Sequence, residues 1–231
     1  MRPYFEEDGI TIYHGDCREI LSSIREVGTI LTDPPYGISL EPRRGRTSAI
    51  AGDSRREAKA LLWYVSRWAF HAAPADSAHF FFAGWGEPWT QEVLSEWFTV
   101  KACIVWVKNQ FGLGYHTRPQ HEICYLVHKG DPNPPEEARS DVWQYPRLTV
   151  PEHSCEKPTE LISALLNYYP QEGLVVDPFM GSGTTLVCAK NANRPAIGIE
   201  LEERYCEIAA RRLSQKVLDF SGTSSGTQSG R

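Results

Sequence analysis

No stretch of the 231-residue sequence is long and apolar enough to span a bilayer. The first residues, Met1-Arg2-Pro3-Tyr4-Phe5-Glu6-Glu7-Asp8, lack the apolar centre of a secretory signal. Six cysteines are present, but none forms a Cys-x-x-Cys pair. That argues against a disulfide framework and against a structural zinc. His14, His116, His121 and His153 do not have the spacing of a metal site either. The expectation is a cytoplasmic chain with no membrane and no metal among its partners. Basic charge is also scarce: 24 Lys and Arg against 29 Asp and Glu leave a net charge of −5. Such a chain as a whole repels a phosphate backbone, so nucleic-acid binding requires a local basic face.

One segment offers that face. Residues 38–59 carry Arg43, Arg44, Arg46, Arg55 and Arg56. The run reads either as a mobile, DNA-facing loop or as ordinary solvated surface. Elsewhere short apolar runs alternate with helical periodicity. Strands are expected at residues 29–32, 78–83, 102–108, 122–128, 174–176 and 196–199, and helices at 58–70, 87–97, 159–168, 185–192 and 203–219. Residues 131–152, rich in proline and charge, read as an irregular insertion, and the Gly/Ser/Thr tail 220–231 as disordered. No internal repeat is visible. The expectation is one domain over residues 1–219, an α/β sheet with helices on both faces. Ligands of such sheets bind at the C-terminal ends of the strands.

Two segments stand at such ends. In Asp177-Pro178-Phe179-Met180-Gly181-Ser182-Gly183-Thr184-Thr185 a strand enters and a helix leaves. Glycines let the backbone turn sharply beside a ligand, and N–H groups at the helix start favour electron-rich groups. After the next strand stands Glu200, where a nucleotide-binding fold places an acid for ribose hydroxyls. No Gly-Lys-Ser/Thr follows the turn, which excludes a P-loop. Together these features point to an adenosine-containing cofactor. The second segment is Asp33-Pro34-Pro35-Tyr36-Gly37. Its prolines fix the backbone and remove two N–H donors. Carbonyl acceptors are left beside a carboxylate, followed by an aromatic ring. That set suits a planar amine: the Asp33 carboxylate and the Pro34 carbonyl each accept one amino hydrogen, and Tyr36 stacks on the ring. Read alone, the tetrapeptide is equally a proline turn with a packed aromatic.

The motifs in order resemble the amino-methyltransferases of DNA, in the circularly permuted arrangement where the catalytic tetrapeptide precedes the cofactor loop. The matching residues are Gly15-Asp16-Cys17, Asp33-Pro34-Pro35-Tyr36, Trp106-Val107-Lys108, Arg118-Pro119-Gln120-His121-Glu122, His153-Ser154-Cys155-Glu156-Lys157-Pro158 and the Asp177 segment. Ser154-Cys155 stands where Pro-Thr is usual. The resemblance runs from about residue 12 to residue 212. It implies a Rossmann-like fold and S-adenosylmethionine as cofactor. Asp16 and Cys17 would lie near the adenine, Glu200 at the ribose and Lys157 near the cofactor carboxylate, with Asp33, Asp177, Pro178, Phe179, Gly181, Ser182, Gly183, Thr184 and Thr185 completing the site. Asp33, Pro34, Pro35 and Tyr36 would be catalytic.

The implied partner is DNA, met by Arg43, Arg44, Arg46, Arg55, Arg56, Lys108 and Arg118; a second copy of the chain is a further candidate. The implied reaction is direct methyl transfer to the exocyclic amine of a flipped base, adenine N6 first, with restriction–modification as the setting. A Pro-Cys pair is absent, which speaks against cytosine C5 chemistry. Cytosine N4 more often goes with SPPY, and RNA adenine enzymes with a DPPW-like motif. A silent DNA-binding homologue would not need Asp33 and Tyr36 intact.

Overall fold

The computed structural model describes residues 2–37, 54–112, 116–147, 156–169 and 171–215. In chain order it contains β1 (Phe5–Glu7), β2 (Ile10–His14), α1 (Cys17–Ile20), β3 (Val27–Thr32), α2 (Arg55–Ala72), β4 (Ser77–Ala83), α3 (Trp89–Ser95) and β5 (Thr99–Val107). β6 (His121–Lys129), β7 (Val142–Gln144), α4 (Thr159–Leu166), β8 (Leu174–Asp177), α5 (Thr184–Asn191), β9 (Ala196–Glu200) and α6 (Glu203–Ser214) follow. Every residue of β3 and β4 is buried, as expected of central strands covered on both faces. Among the described residues the strands form one nine-stranded sheet, ordered β1-β2-β9-β8-β3-β4-β6-β5-β7.

The covering helices divide by face. Ile20, Leu62, Val65, Val93 and Leu94 from α1, α2 and α3 pack on Ile30, Phe81, Val127 and Val176. Leu161, Leu165, Leu186 and Ala209 from α4, α5 and α6 pack on the opposite face against Leu31, Phe80, Phe82 and Trp106. Adjacent strand residues such as Phe80 and Phe81 serve opposite cores because side chains alternate across a strand. None of the described helices is long and apolar enough to cross a membrane.

Strand direction decides where the chemistry collects. β2, β9, β8, β3 and β4 pair in parallel, so His14, Glu200, Asp177, Thr32 and Ala83 all end at one edge. β6 runs antiparallel to both β4 and β5, which brings the end of β5 and the start of β6 to that same edge.

The expected elements are present with ends shifted by a few residues. Four short elements lie where none was expected: β1, β2 and α1 near the N-terminus, and β7 inside the stretch read as irregular. β7 exists by pairing, with Trp143 beside Trp106 of β5, and the Trp143 ring is buried. The expected last turns of α6 and the tail lie outside the described residues, as do residues 38–53 and 148–155.

Candidate active site

β3 and β8 are tied together at their ends. The Thr32 hydroxyl donates to Asp177 Oδ1 at 2.7 Å, and the Phe179 N–H donates to the same oxygen at 3.1 Å. Burial raises the Asp177 carboxyl from 3.8 to about 6, although Thr32, Thr185 and Phe179 all act to lower it. The folded chain therefore holds this proton more tightly than the unfolded chain. The stabilisation is full below about pH 4 and is lost as pH rises through about 6, a difference on the order of 3 kcal/mol. Asp177→Asn keeps an oxygen for Thr32 and carries no charge. Its melting temperature should exceed that of wild type at pH 8, and the gap should close toward pH 4. A gap independent of pH would remove this account of Asp177.

The glycine turn follows directly. Gly183, at φ 82°, is the N-cap of α5, and a Cβ there would lie 2.7 Å from the Ala209 Cβ. No other residue combines that backbone with that close approach. Glu200, at the end of β9, accepts from the Gly181 N–H at 3.1 Å and the Glu202 N–H at 2.7 Å. Burial raises its pKa, against the pull of these bonds. The Gly15 N–H donates to the Glu200 carbonyl at 2.9 Å, so the Asp16 segment lies beside it. A side-chain-free turn, a carboxylate beside it and a helix start with no side-chain cap fit an adenosine-bearing cofactor with an amino-acid end. From the opposite side Arg212 of α6 reaches in, donating to the Ser182 carbonyl at 2.9 Å, Ser182 Oγ at 3.0 Å and Thr184 Oγ1 at 3.3 Å. It also pairs with Glu156 at 2.8 Å.

The third part is a chain of charges. Asp33 Oδ1 accepts from the Tyr36 hydroxyl and Oδ2 from the Lys157 ammonium. Lys157 Nζ also lies 3.3 Å from Glu122 Oε2, while Glu122 Oε1 binds Lys108. The two ammonium groups sit over aromatic rings, Lys157 4.8 Å from the Phe82 centroid and Lys108 4.8 Å from that of Trp106. Burial pushes the Glu122 carboxyl up, but Lys157 and Lys108 outweigh it and hold the group below the usual carboxylate range.

Most residues singled out in the sequence meet along this edge: Asp33, Pro34, Pro35 and Tyr36 after β3, the Asp177–Thr185 segment after β8, and Glu200 after β9. Asp16 caps α1, accepting from the Arg18 N–H at 2.8 Å. The Cys17 side chain points elsewhere. It is buried in the α1–α3 core, where burial raises its thiol to about 12. Lys157, expected at the cofactor carboxylate, is paired with Asp33 and Glu122. Lys108, expected on DNA, is largely buried and neutralised by Glu122, because Trp106 stands directly across from Glu122 in the β5–β6 pairing. Arg118 is exposed, stacks on Phe111 at 4.0 Å and donates to the Gly112 carbonyl at 2.8 Å. Arg55 and Arg56 are exposed in the first turn of α2. Arg43, Arg44 and Arg46 lie outside the described residues.

Sequence reasoning missed Arg212, Glu156 and the 67% exposure of Trp85, just past the end of β4. No spacing rule finds the first two, because their partners are distant in sequence. Trp85 follows Gly84 at a strand end, and that was its only signal.

Comparison with known proteins agrees with this geometry. Residues 27–211 match the DNA methylase family N6_N4_Mtase. The chain is 32% identical over 209 residues to YubD of Escherichia coli (strain K12), covering 87% of this chain and 88% of that one. It is 27% identical over 262 residues to the type II methyltransferase M.ScaI of Streptomyces caespitosus, covering 92% and 84%. The crystal structure of the M1.HpyAVI–SAM complex superimposes with a TM-score of 0.69 at 26% identity, over 89% of this chain and 100% of that one. The chain therefore belongs to the N6/N4 DNA methylase family, with a Rossmann-like fold and S-adenosylmethionine as its cofactor.

Proposed function

We propose that this chain methylates the N6 amine of adenine at a specific DNA site, with the target base flipped out of the duplex. The observation that carries the reading is the Asp33 carboxylate at the end of β3, joined to the cofactor turn through the Thr32–Asp177 bond. The choice of adenine over cytosine N4 rests on Asp33 at the head of the tetrapeptide.

An exocyclic amine is a weak nucleophile because its lone pair is delocalised into the ring. Asp33 and the Pro34 carbonyl accept its two hydrogens and favour a pyramidal nitrogen. S-adenosylmethionine, when bound, supplies an electrophilic methyl group and leaves as a neutral thioether. Asp33 stabilises the positive charge growing on nitrogen and holds the N–H that is afterwards lost as a proton. Tyr36 stacks on the base and offsets part of its unstacking, on the order of 1–3 kcal/mol. Glu200 accepts from the ribose hydroxyls, and the Gly181–Thr185 turn holds the cofactor's amino-acid end. Orientation of the two reactants supplies much of the acceleration.

A transfer assay with methyl-labelled cofactor and mixed duplex DNA, followed by digestion to nucleosides, tests the reading. N6-methyl-2′-deoxyadenosine is the expected product. N4-methylcytosine would move the assignment to the other amine of the family, and no label in DNA would remove the function.

We assign the DNA face to the basic segment around Arg55 and Arg56, whose helix start lies against Gly37 of the catalytic segment. Arg55 and Arg56 sit at a helix N-terminus, where positive charge opposes the macrodipole and costs about 0.3–1 kcal/mol each. Arg55 also backs the catalytic segment: a Cβ on Gly37 would meet its Cα at 2.6 Å. Cations kept at such a position fit a role toward phosphate. Neutralising Arg43, Arg44, Arg46, Arg55 and Arg56 together should weaken binding to all DNA sequences. The slope of log affinity against log salt should fall by about 0.9 for each phosphate no longer neutralised. An unchanged slope would make the segment ordinary surface.

A further inference from the structure

Both oxygens of Asp33 carry a partner in the free chain, and an amine that takes the place of Lys157 displaces an ammonium. Tyr36 occupies one of its oxygens and Lys157 the other. The Tyr36 hydroxyl is neutral and can turn away at small cost. The ammonium of Lys157 is different. Its side chain is 7% exposed, so once displaced from Asp33 it has little water to return to, and an uncompensated buried charge is strongly unfavourable. It needs a second anion within reach.

The structure holds one. Glu122 Oε2 lies 3.3 Å from Lys157 Nζ, is itself buried, and makes no hydrogen bond among the described residues. Its sister oxygen is already fixed by Lys108, which anchors the carboxylate. The Phe82 ring lies 4.8 Å from the ammonium, and attraction to a ring face tolerates a small lateral move. The four groups alternate in sign along the line Asp33, Lys157, Glu122, Lys108. Moving Lys157 by a fraction of an ångström converts one shared ammonium into a full Lys157–Glu122 pair.

We propose that Glu122 is a positioning residue that takes over the Lys157 ammonium when the substrate amine displaces it from Asp33. In the free enzyme Lys157 then holds Asp33 in place. In the DNA complex Glu122 keeps Lys157 neutralised, and Asp33 turns the oxygen so released to the amine, whose other hydrogen goes to the Pro34 carbonyl. No bond to carbon is made or broken in this exchange; one charged hydrogen bond is traded for another. The ionised state required of Glu122 agrees with the two flanking ammonium groups, which hold its carboxyl below the usual range. The inference rests on the reading of Asp33 as the acceptor of the amine.

The decisive experiment is suppression. Glu122→Gln keeps the shape but offers no charge, so Lys157 stays on Asp33. At saturating cofactor, the single-turnover methylation rate should fall about 10- to 100-fold. The melting temperature should fall, because Lys108 and Lys157 lose a buried anion, but the DNA affinity of the folded enzyme should stay near wild type, because the impaired step is capture of the amine. Glu122→Asp should recover part of the rate. Removing the ammonium as well, in Glu122→Gln/Lys157→Met, should make the enzyme faster than Glu122→Gln alone, since no ammonium then competes for Asp33. A double variant no faster than the single one, or a Glu122→Gln rate equal to wild type, would overturn the proposal. Activity surviving in Asp33→Ala would instead overturn the reading on which it rests, so the two failures are distinguishable.

Discussion

Asp33→Ala should abolish methyl transfer while leaving folding and cofactor affinity near wild type. The carboxylate is the charged acceptor beside the incoming amine, and removing one such stabilising acceptor typically costs about 100- to 1000-fold. Here the effect should be larger, because the amine then faces the Lys157 ammonium with no anion between them. The fold should tolerate the change, because Lys157 keeps Glu122 at 3.3 Å, and the cofactor turn is held by Asp177, Glu200 and Arg212 rather than by Asp33. Asp33→Asn retains an oxygen acceptor with less negative charge, so it should lose most of the rate but not all of it. Tyr36→Phe should be mild, since the ring survives and one competitor for Asp33 is removed. Tyr36→Ala should impair capture of the base. Single-turnover rates for the four variants check this, and a near-normal rate in Asp33→Ala would end the assignment of the active site.

Arg212→Met should cause the largest loss of stability at the site. The guanidinium has one carboxylate partner and three loop acceptors, on Ser182 and Thr184. Its side chain is 17% exposed and that of Glu156 is 5% exposed. Removing the cation takes the guanidinium from a buried carboxylate, and breaking such a pair typically costs about 3–5 kcal/mol. For a chain of this size that corresponds to a melting temperature lower by roughly 10 °C. S-adenosylmethionine should also bind at least about tenfold more weakly, because the turn loses its anchor behind Ser182. Adding Glu156→Gln removes the buried negative charge that the guanidinium had balanced, so the double variant should melt above Arg212→Met. Calorimetry of the two variants reads this directly. A double variant no more stable than the single one would show that the pair does not act as a unit.

Much of this molecule was legible in its residues alone. The unbroken apolar runs that became β3 and β4 announced central strands, and the glycine turn announced the ligand end of β8. β2 escaped notice because Thr11 and Tyr13 break its apolar residues into no continuous run, and β7 because a three-residue strand is made by its neighbour rather than by its own periodicity. The partners of Arg212 escaped for a similar reason. Ser182 is 30 residues away, and nothing local marks an arginine on the last turns of an amphipathic helix as the anchor of a loop.

The sequence by itself determined the kinds of chemistry present: an acid and two prolines after a strand, an aromatic beside them, a glycine turn and a later acid. These are local patterns, and local backbone preference is enough to place each at a strand end. Only the tertiary structure decided which charges meet. Lys157 and Asp33 are 124 residues apart, and their pairing depends on where α4 begins relative to β3. Lys108 meets Glu122 because β5 and β6 pair with Trp106 opposite Glu122. A slip of one residue would carry that carboxylate to the other face of the sheet. Register and packing are long-range properties, so no local motif pairs Lys157 with Asp33 or Lys108 with Glu122, and only the folded chain makes the two lysines the cations of one buried line of charge.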